Sequence, residues 1–366
     1  MELVSASPRI EIEFEASLPH NLLTVALLLQ VAGRFEGLSE WVVQTAAALP
    51  ADVAADLRTF ALVTITCPGL WSDLIRAGRG LGPADESCLL AHLEGQPEDS
   101  LRRAARSGLD RRLVDWKLAP PGTTREAGRE ELAALLDLVW VERRRRGEGA
   151  GDETRADSDL LARFLSEPGL LKRHAVSVLV ALWKIYRERC RQDWVQIERA
   201  VAYHRCQRYP QEFNAAFIAI TGRAVPERLA DQLDETRHVV MTPVTHIGPY
   251  LLLTRYDDRV LVSFNANTAP SRPTGEDNIA ALYPPLKALA DETRLQIVGL
   301  LVGGERYVGE IAELLDLSQS SASRHLHLLT AAEILTVRRE NNQKYFRINP
   351  ERVRALLADL RHHLRL

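Results

Sequence analysis

The chain has 366 residues, enough for two or three domains of ordinary size. Hydrophobic residues make up 46% and charged residues 26%, which excludes a largely disordered, collagenous or fibrous chain. With 46 Lys+Arg against 49 Asp+Glu the net charge is −3, so any nucleic-acid surface must be a local patch. Cys67, Cys88, Cys190 and Cys206 show no Cys-x-Cys or Cys-x-x-Cys spacing and read as reduced thiols. The acidic N-terminus lacks the basic-then-apolar order of a signal peptide, and no apolar run approaches the ~20 residues that span a bilayer. A cytoplasmic chain without a membrane partner is expected.

Ile10, Ile12 and Phe14 alternate with Glu11, Glu13 and Glu15, the period of a half-buried strand. Helical patterns follow near Leu22, near Leu38 and over residues 51–65, punctuated by Pro19, Pro50 and Pro68. Residues 143–159 read as a solvated helix end running into a loop, with Arg143–Arg146 as a phosphate or nucleic-acid patch the sharper alternative. After Pro168-Gly169 a long helix is predicted over residues 170–208. Trp183, Tyr186, Trp194, Ile197 and Val201 line one of its faces, as core or as the wall of a ligand pocket. Tyr209-Pro210 interrupts it, and shorter helices continue to about Thr236. Residues 239–264 are rich in Val, Tyr and Thr, with Asp257-Asp258 placed to turn a hairpin. The Pro, Gly, Ser, Thr and Asn content of residues 265–278 marks a linker. Domains are therefore expected at 1–264, with a possible subdivision near 143–159, and at 279–366.

In the last segment a helix fits residues 279–289, and Asp291 can cap a second that stops at Gly303-Gly304. A third covers residues 308–315, followed by the short turn Asp316-Leu317 and the cap Ser318. In the helix that begins at Gln319, Ala322, Leu326 and Leu329 share one face. Gln319, Ser320, Ser323, Arg324 and His327 show on the other. Short polar residues at a helix N-terminus allow close approach to phosphates, Arg324 can fork onto a guanine edge, and Gln319 can reach an adenine edge. This is the pattern of a helix-turn-helix. Two strands flank Asn341-Asn342, a pair suited to a tight turn, and carry Arg338, Arg339, Lys344 and Arg347. Residues 318–347 hold five Lys/Arg against two acids, a net of +3 inside a chain of −3.

The stretch LKALADETRLQIVGLL, the segment LSQSSASRHLHLL and the ending YFRINP together resemble the winged helix-turn-helix domain of the ArsR family of bacterial transcription regulators. The resemblance covers residues 282–350. It implies a homodimer on a pseudo-palindromic double-stranded operator, usually a repressor that an effector releases. Many members bind metal or arsenical through a Cys-x-Cys pair; the matching positions here are Tyr307 and Gly309, so no metal or other cofactor is expected. Asp359, His362 and His363 lie near a second family site at a different spacing. The fold class expected is α+β, mainly α: a winged helix preceded by a largely helical region with a short β-rich segment. That region is expected to hold any small-molecule effector, with Trp183, Tyr186 and Trp194 the first candidates for its wall. No Gly-rich phosphate loop, HExxH or GxSxG motif is present. The alternative is an enzyme or interaction module in residues 1–264; Cys206 with His238 or His246 would be its nucleophile and base.

Overall fold

The computed structural model describes residues 10–146, 153–223, 225–226, 229, 233, 238–256, 259–266, 279–340 and 343–365. The expected turns at Asp257-Asp258 and Asn341-Asn342 lie outside these residues, as does the expected linker apart from Asn265 and Ala266.

The chain starts with strand β1 (Glu11–Phe14) and helix α1 (Leu18–Val31). Helices α2 (Glu40–Ala47), α3 (Ala51–Thr66), α4 (Ser72–Ala77), α5 (Glu86–Gly95), α6 (Ser100–Asp115), α7 (Thr123–Glu126), α8 (Arg129–Arg145) and α9 (Arg155–Ser166) follow. Side-chain caps start several of them: Ser17 accepts from the His20 amide, Ser39 from Val42, and Thr154 forms a reciprocal box with Asp157. Helix α10 (Leu170–Cys206) is a 37-residue spine, and α11 (Phe213–Thr221) packs beyond its end. Trp183, Tyr186, Trp194, Ile197 and Val201 are all buried, so the aromatic stripe is core. In the arginine run Arg144 and Arg145 are exposed, as a solvated helix end requires, but Arg143 is 6% exposed and its guanidinium lies over the Trp140 ring.

Strands β2 (His238–Val244), β3 (Leu252–Tyr256) and β4 (Arg259–Asn265) join β1 in a sheet of order β1-β2-β4-β3. β1, β2 and β4 are parallel, and β3 runs antiparallel along β4. The beginning and end of the N-terminal region therefore meet, Ile12 standing beside Val239. The sheet is covered on both faces, as parallel strands require. Val240, Val244 and Leu261 face the large cluster of α1–α10, whereas Val239, Met241, Val260 and Val262 face Val201, Phe217 and Ile220.

A separate cluster belongs to the C-terminal segment. It is built by α12 (Ile279–Leu289), α13 (Glu292–Leu301), β5 (Arg306–Tyr307), α14 (Val308–Leu314), α15 (Gln319–Ala331), β6 (Leu335–Glu340), β7 (Gln343–Ile348) and α16 (Pro350–His363). β5, β7 and β6 form a second sheet, giving the winged helix expected from the sequence.

Within the N-terminal region the α1–α2 and β2–β3 loops cross at Gly37 and Gly248, and Leu328 of the winged helix reaches Gly37. Both glycines have left-handed φ, +83° and +64°, and a Cβ on Gly248 would lie 2.1 Å from the Gly37 carbonyl oxygen. Gly248→Ala should therefore destabilise the protein by about 1–3 kcal/mol, measured by thermal or urea unfolding. Gly222→Ala, left-handed at φ +71° but with open space at the Cβ position, should cost less.

Candidate nucleic-acid interface

Helices α14 and α15 enclose a tight turn in which Asp316 adopts φ +52°, a conformation that Asp tolerates. Ser318 caps α15, its Oγ accepting from the Ser321 amide at 3.1 Å. Ala322, Leu326 and Leu329 are fully buried in the winged-helix core. That burial turns Gln319, Ser320 and Arg324 outward, where all three are exposed with Ser318, while Ser323 is half-buried. The amino end of α15 thus offers hydroxyls, an amide, a guanidinium and unpaired backbone N–H groups.

His327, one further turn along the same face, is not open in the same way. Its ring packs on Phe35 of the α1–α2 loop, with centroids 5.6 Å apart. Burial, with the nearby Lys344 charge, lowers its pKa and favours the neutral ring.

The wing's basic residues do not form one set. Val337 stands opposite the buried Phe346, Arg338 opposite Tyr345 and Arg339 opposite Lys344. Because side chains alternate along a strand, Arg338, Tyr345, Thr336 and Arg347 share one face, and Lys344 shares the other with Phe346. Arg338 is already engaged: it lies over the Tyr345 ring and pairs with Glu305, whose carboxyl it holds below its usual pKa. Arg347 donates to the Thr336 hydroxyl at 3.1 Å. The side chain of Arg339 lies outside the described residues.

Sequence reasoning missed the contact that holds this interface to the rest of the chain. Arg294, in the LADETRLQI box, is nearly buried. It donates to the carbonyls of Ala288 and Lys287, and through Nη1 to Glu36 Oε2 at 2.7 Å. The other oxygen of Glu36 lies 3.5 Å from His325 Nδ1 on α15. The Tyr250 hydroxyl donates to the Glu36 carbonyl at 2.6 Å, and Leu328 packs against Gly37. Immediately after this loop, Ser39 Oγ lies 2.8 Å from His246 Nδ1, and His246 Nε2 lies 2.6 Å from Asp193 Oδ2. A carboxylate only accepts, so Nε2–H donates and, in the neutral ring, Nδ1 accepts from the Ser39 hydroxyl. No short motif spans residues 36, 193, 246 and 294; a charged residue inside the otherwise apolar α13 pattern was the available hint.

Ser39, His246 and Asp193 form a serine–imidazole–carboxylate chain. His246 is 2% exposed, and the Ser39 oxygen already accepts from the Val42 amide at the start of α2. Cys206 is exposed, while His238 faces Glu11 and His246 faces Asp193. Tyr307 caps α14, and a Cβ on Gly309 would meet its ring. Among the described residues no group of three or more His, Cys, Asp and Glu could hold a metal ion. Among them also, no helix is long and apolar enough to cross a membrane.

A helix-turn-helix domain profile matches residues 289–338. The transcriptional activator HlyU of Vibrio cholerae is 37% identical over 89 residues, which are 24% of this chain and 82% of that protein. The transcriptional repressor SdpR of Bacillus subtilis is 40% identical over 63 residues, 17% of this chain and 70% of that protein. The arsenic resistance regulator ArsR1 of Pseudomonas putida is 44% identical over 73 residues, 19% of this chain and 57% of that protein. The solved structure of HlyU from Vibrio cholerae is 36% identical and covers 24% of this chain and 95% of its own, with a TM-score of 0.21. The profile match falls in the segment that forms the winged helix, and by these relatives the chain belongs to the ArsR family of winged helix-turn-helix transcription regulators.

Proposed function

We propose that the protein is a sequence-specific repressor that binds a double-stranded operator as a homodimer and takes its signal in the N-terminal region. One observation carries this reading: α15 buries Ala322, Leu326 and Leu329 and so exposes Gln319, Ser320 and Arg324 at its open amino end. A helix held in that way presents side chains and a positive dipole end to the major groove. Operator occupancy then blocks transcription. The direct test is binding of the purified chain to the DNA upstream of its own gene, measured by fluorescence anisotropy.

If Arg324 reads a base, Arg324→Ala should cost about 1–3 kcal/mol and relax preference at one position per half-site. Lys344→Gln should weaken all sequences alike and lower the salt slope by roughly one unit. Arg338→Gln should lower it less, because Glu305 already offsets that charge. Isotherms on single-base operator variants at several salt concentrations separate these outcomes.

The dimer follows from what α12 and α16 leave uncovered. They pack on each other, with Leu282, Leu356 and Leu360 in the domain core. Yet Tyr283 is 59% exposed, and Leu357 and Leu364 are each 55% exposed. Pairing across a two-fold axis buries such a patch and sets two recognition helices on two half-sites. Leu357→Glu should yield monomers in light scattering and abolish specific binding while leaving the far-UV spectrum intact.

The signal passes through the loop that carries Phe35 and Glu36. In the arrangement seen, Phe35 covers His327 on the DNA-facing side of α15, which makes it the weaker-binding one. Phe35→Ala should raise operator affinity several-fold, roughly 1 kcal/mol, by removing that cover. An affinity equal to or below the parent's overturns the coupling.

A further inference from the structure

Helix α1 meets the sheet through a polar seam. His20, Asn21 and Thr24 stand on adjoining turns of α1, and Thr242 of β2 lies beside Ser263 of β4 in the sheet. Strand alternation puts Thr242 and Ser263 on the face of Val240, Val244 and Leu261, which looks toward α1–α10. His20 Nε2 lies 2.7 Å from Ser263 Oγ, and Asn21 Oδ1 accepts from the Tyr186 hydroxyl of α10 at 2.9 Å. These bonds use only part of what the side chains offer. Among the described residues, His20 Nδ1, Asn21 Nδ2, Thr24 Oγ1 and Thr242 Oγ1 find no hydrogen-bond partner, although each of these residues is at most 2% exposed. Thr59, Thr64, Thr66, Thr221 and Thr330 each return the hydroxyl to the carbonyl four residues back in their helices, and Thr24 does not. Buried polar groups are seldom left unpaired in native proteins, because each one forfeits its hydration.

The four groups define what can join them. Burial pushes the pKa of His20 down to about 4, so its ring is neutral and carries one N–H. Whichever nitrogen bears it, Nδ1 is left as a single donor or a single acceptor. Asn21 Nδ2 only donates, and the two threonine hydroxyls do both. None of these side chains carries a charge, so an ion at the seam would have no counter-charge. The partner must be small, neutral and able both to donate and to accept. We propose that the seam between α1 and the sheet is an internal hydration site, in which ordered water bridges the free groups of His20, Asn21 and Thr24 to Thr242. Water has two donors and two acceptors, and buried water commonly joins about three otherwise unpaired groups. The site belongs to the N-terminal fold and does not depend on the DNA reading above.

A high-resolution crystal structure of the full chain tests the site directly. Water should lie within about 3.2 Å of Thr242 Oγ1 and of at least one free group of α1. In solution, ¹⁷O relaxation dispersion of water counts long-lived internal molecules, and Thr242→Val should lower that count relative to the parent. Valine keeps the shape of threonine and deletes only the hydroxyl. Where the hydroxyl holds water, its loss leaves the facing groups short of a partner and should lower the unfolding midpoint by roughly 2 °C or more. Where the hydroxyl is bare, valine relieves a buried polar group and the midpoint stays or rises. Thr24→Val, on the facing helix, should repeat both losses. Pairing of the four groups with protein atoms in the crystal, an organic molecule at the seam in place of water, an unchanged count of long-lived water in both variants, or midpoints at or above the parent's in both overturns the site. The parent crystal structure decides the matter even if a variant fails to fold.

Discussion

His246 hangs between Asp193 of the long spine α10 and Ser39 at the start of α2, and this chain of hydrogen bonds fixes the place of the α1–α2 loop. A buried carboxylate without a partner is costly, commonly about 3–5 kcal/mol when one member of a pair is removed. Asp193 avoids that cost through His246 and through Arg189, 3.1 Å away. The ring of His246 also stacks on Trp41 of α2, centroids 4.7 Å apart, so the imidazole is held by its face as well as its edge. With Ser39 pinned, Glu36 and Phe35 have little room to move, and these are the residues that touch α13 and α15. The orientation of the DNA-binding domain is thus set by a polar network inside the other region.

The recognition helix has two constraints on it. Its own domain holds the Ala322–Leu326–Leu329 face, and the N-terminal region holds His325, His327 and Leu328 near its carboxyl end. Only the amino-terminal half is left exposed. This divides the helix into a part that can contact nucleic acid and a part through which the rest of the chain can act. The wing is divided too: strand alternation puts Arg338 and Arg347 on one face, next to Glu305 and Thr336, and turns Lys344 toward the face of the buried Phe346. Charge counted along the sequence therefore overstates the positive charge on any one side.

The parallel pairing of β1 with β2 and of β2 with β4 ties both ends of the N-terminal region together. Glu13 of β1 meets both Arg79 and Arg259, linking the edge of the sheet to the chain after α4 and to β4. The same sheet carries β3 at its other edge. A helical layer, a sheet edge and the loop to the winged domain are thereby consecutive parts of one packed body.

Features with a local cause were legible in the sequence. The caps Ser318 and Asp291, the alternation of β1, the long helix and the apolar face of α15 depend on residues within a few positions of each other, and periodicity reports them directly. The winged-helix family could be recognised for the same reason, since its motifs are contiguous. Arg143 was misread as part of a solvated run because composition registers charge and not the Trp140 ring beneath it. His327 was placed with its helical neighbours on an open face, which was correct for helix geometry and silent about Phe35. The grip of Glu36 on Arg294 and the chain from Asp193 to Ser39 join residues tens to hundreds of positions apart. Those partnerships exist only after the backbone has closed, because a hydrogen bond or ion pair depends on distance in space and no local pattern encodes it. The amino-acid order alone therefore determined the elements, the family and the chemical character of the exposed amino end of α15. Tertiary packing decided which of those charges remain available, and which hidden contacts couple them to the other three-quarters of the chain.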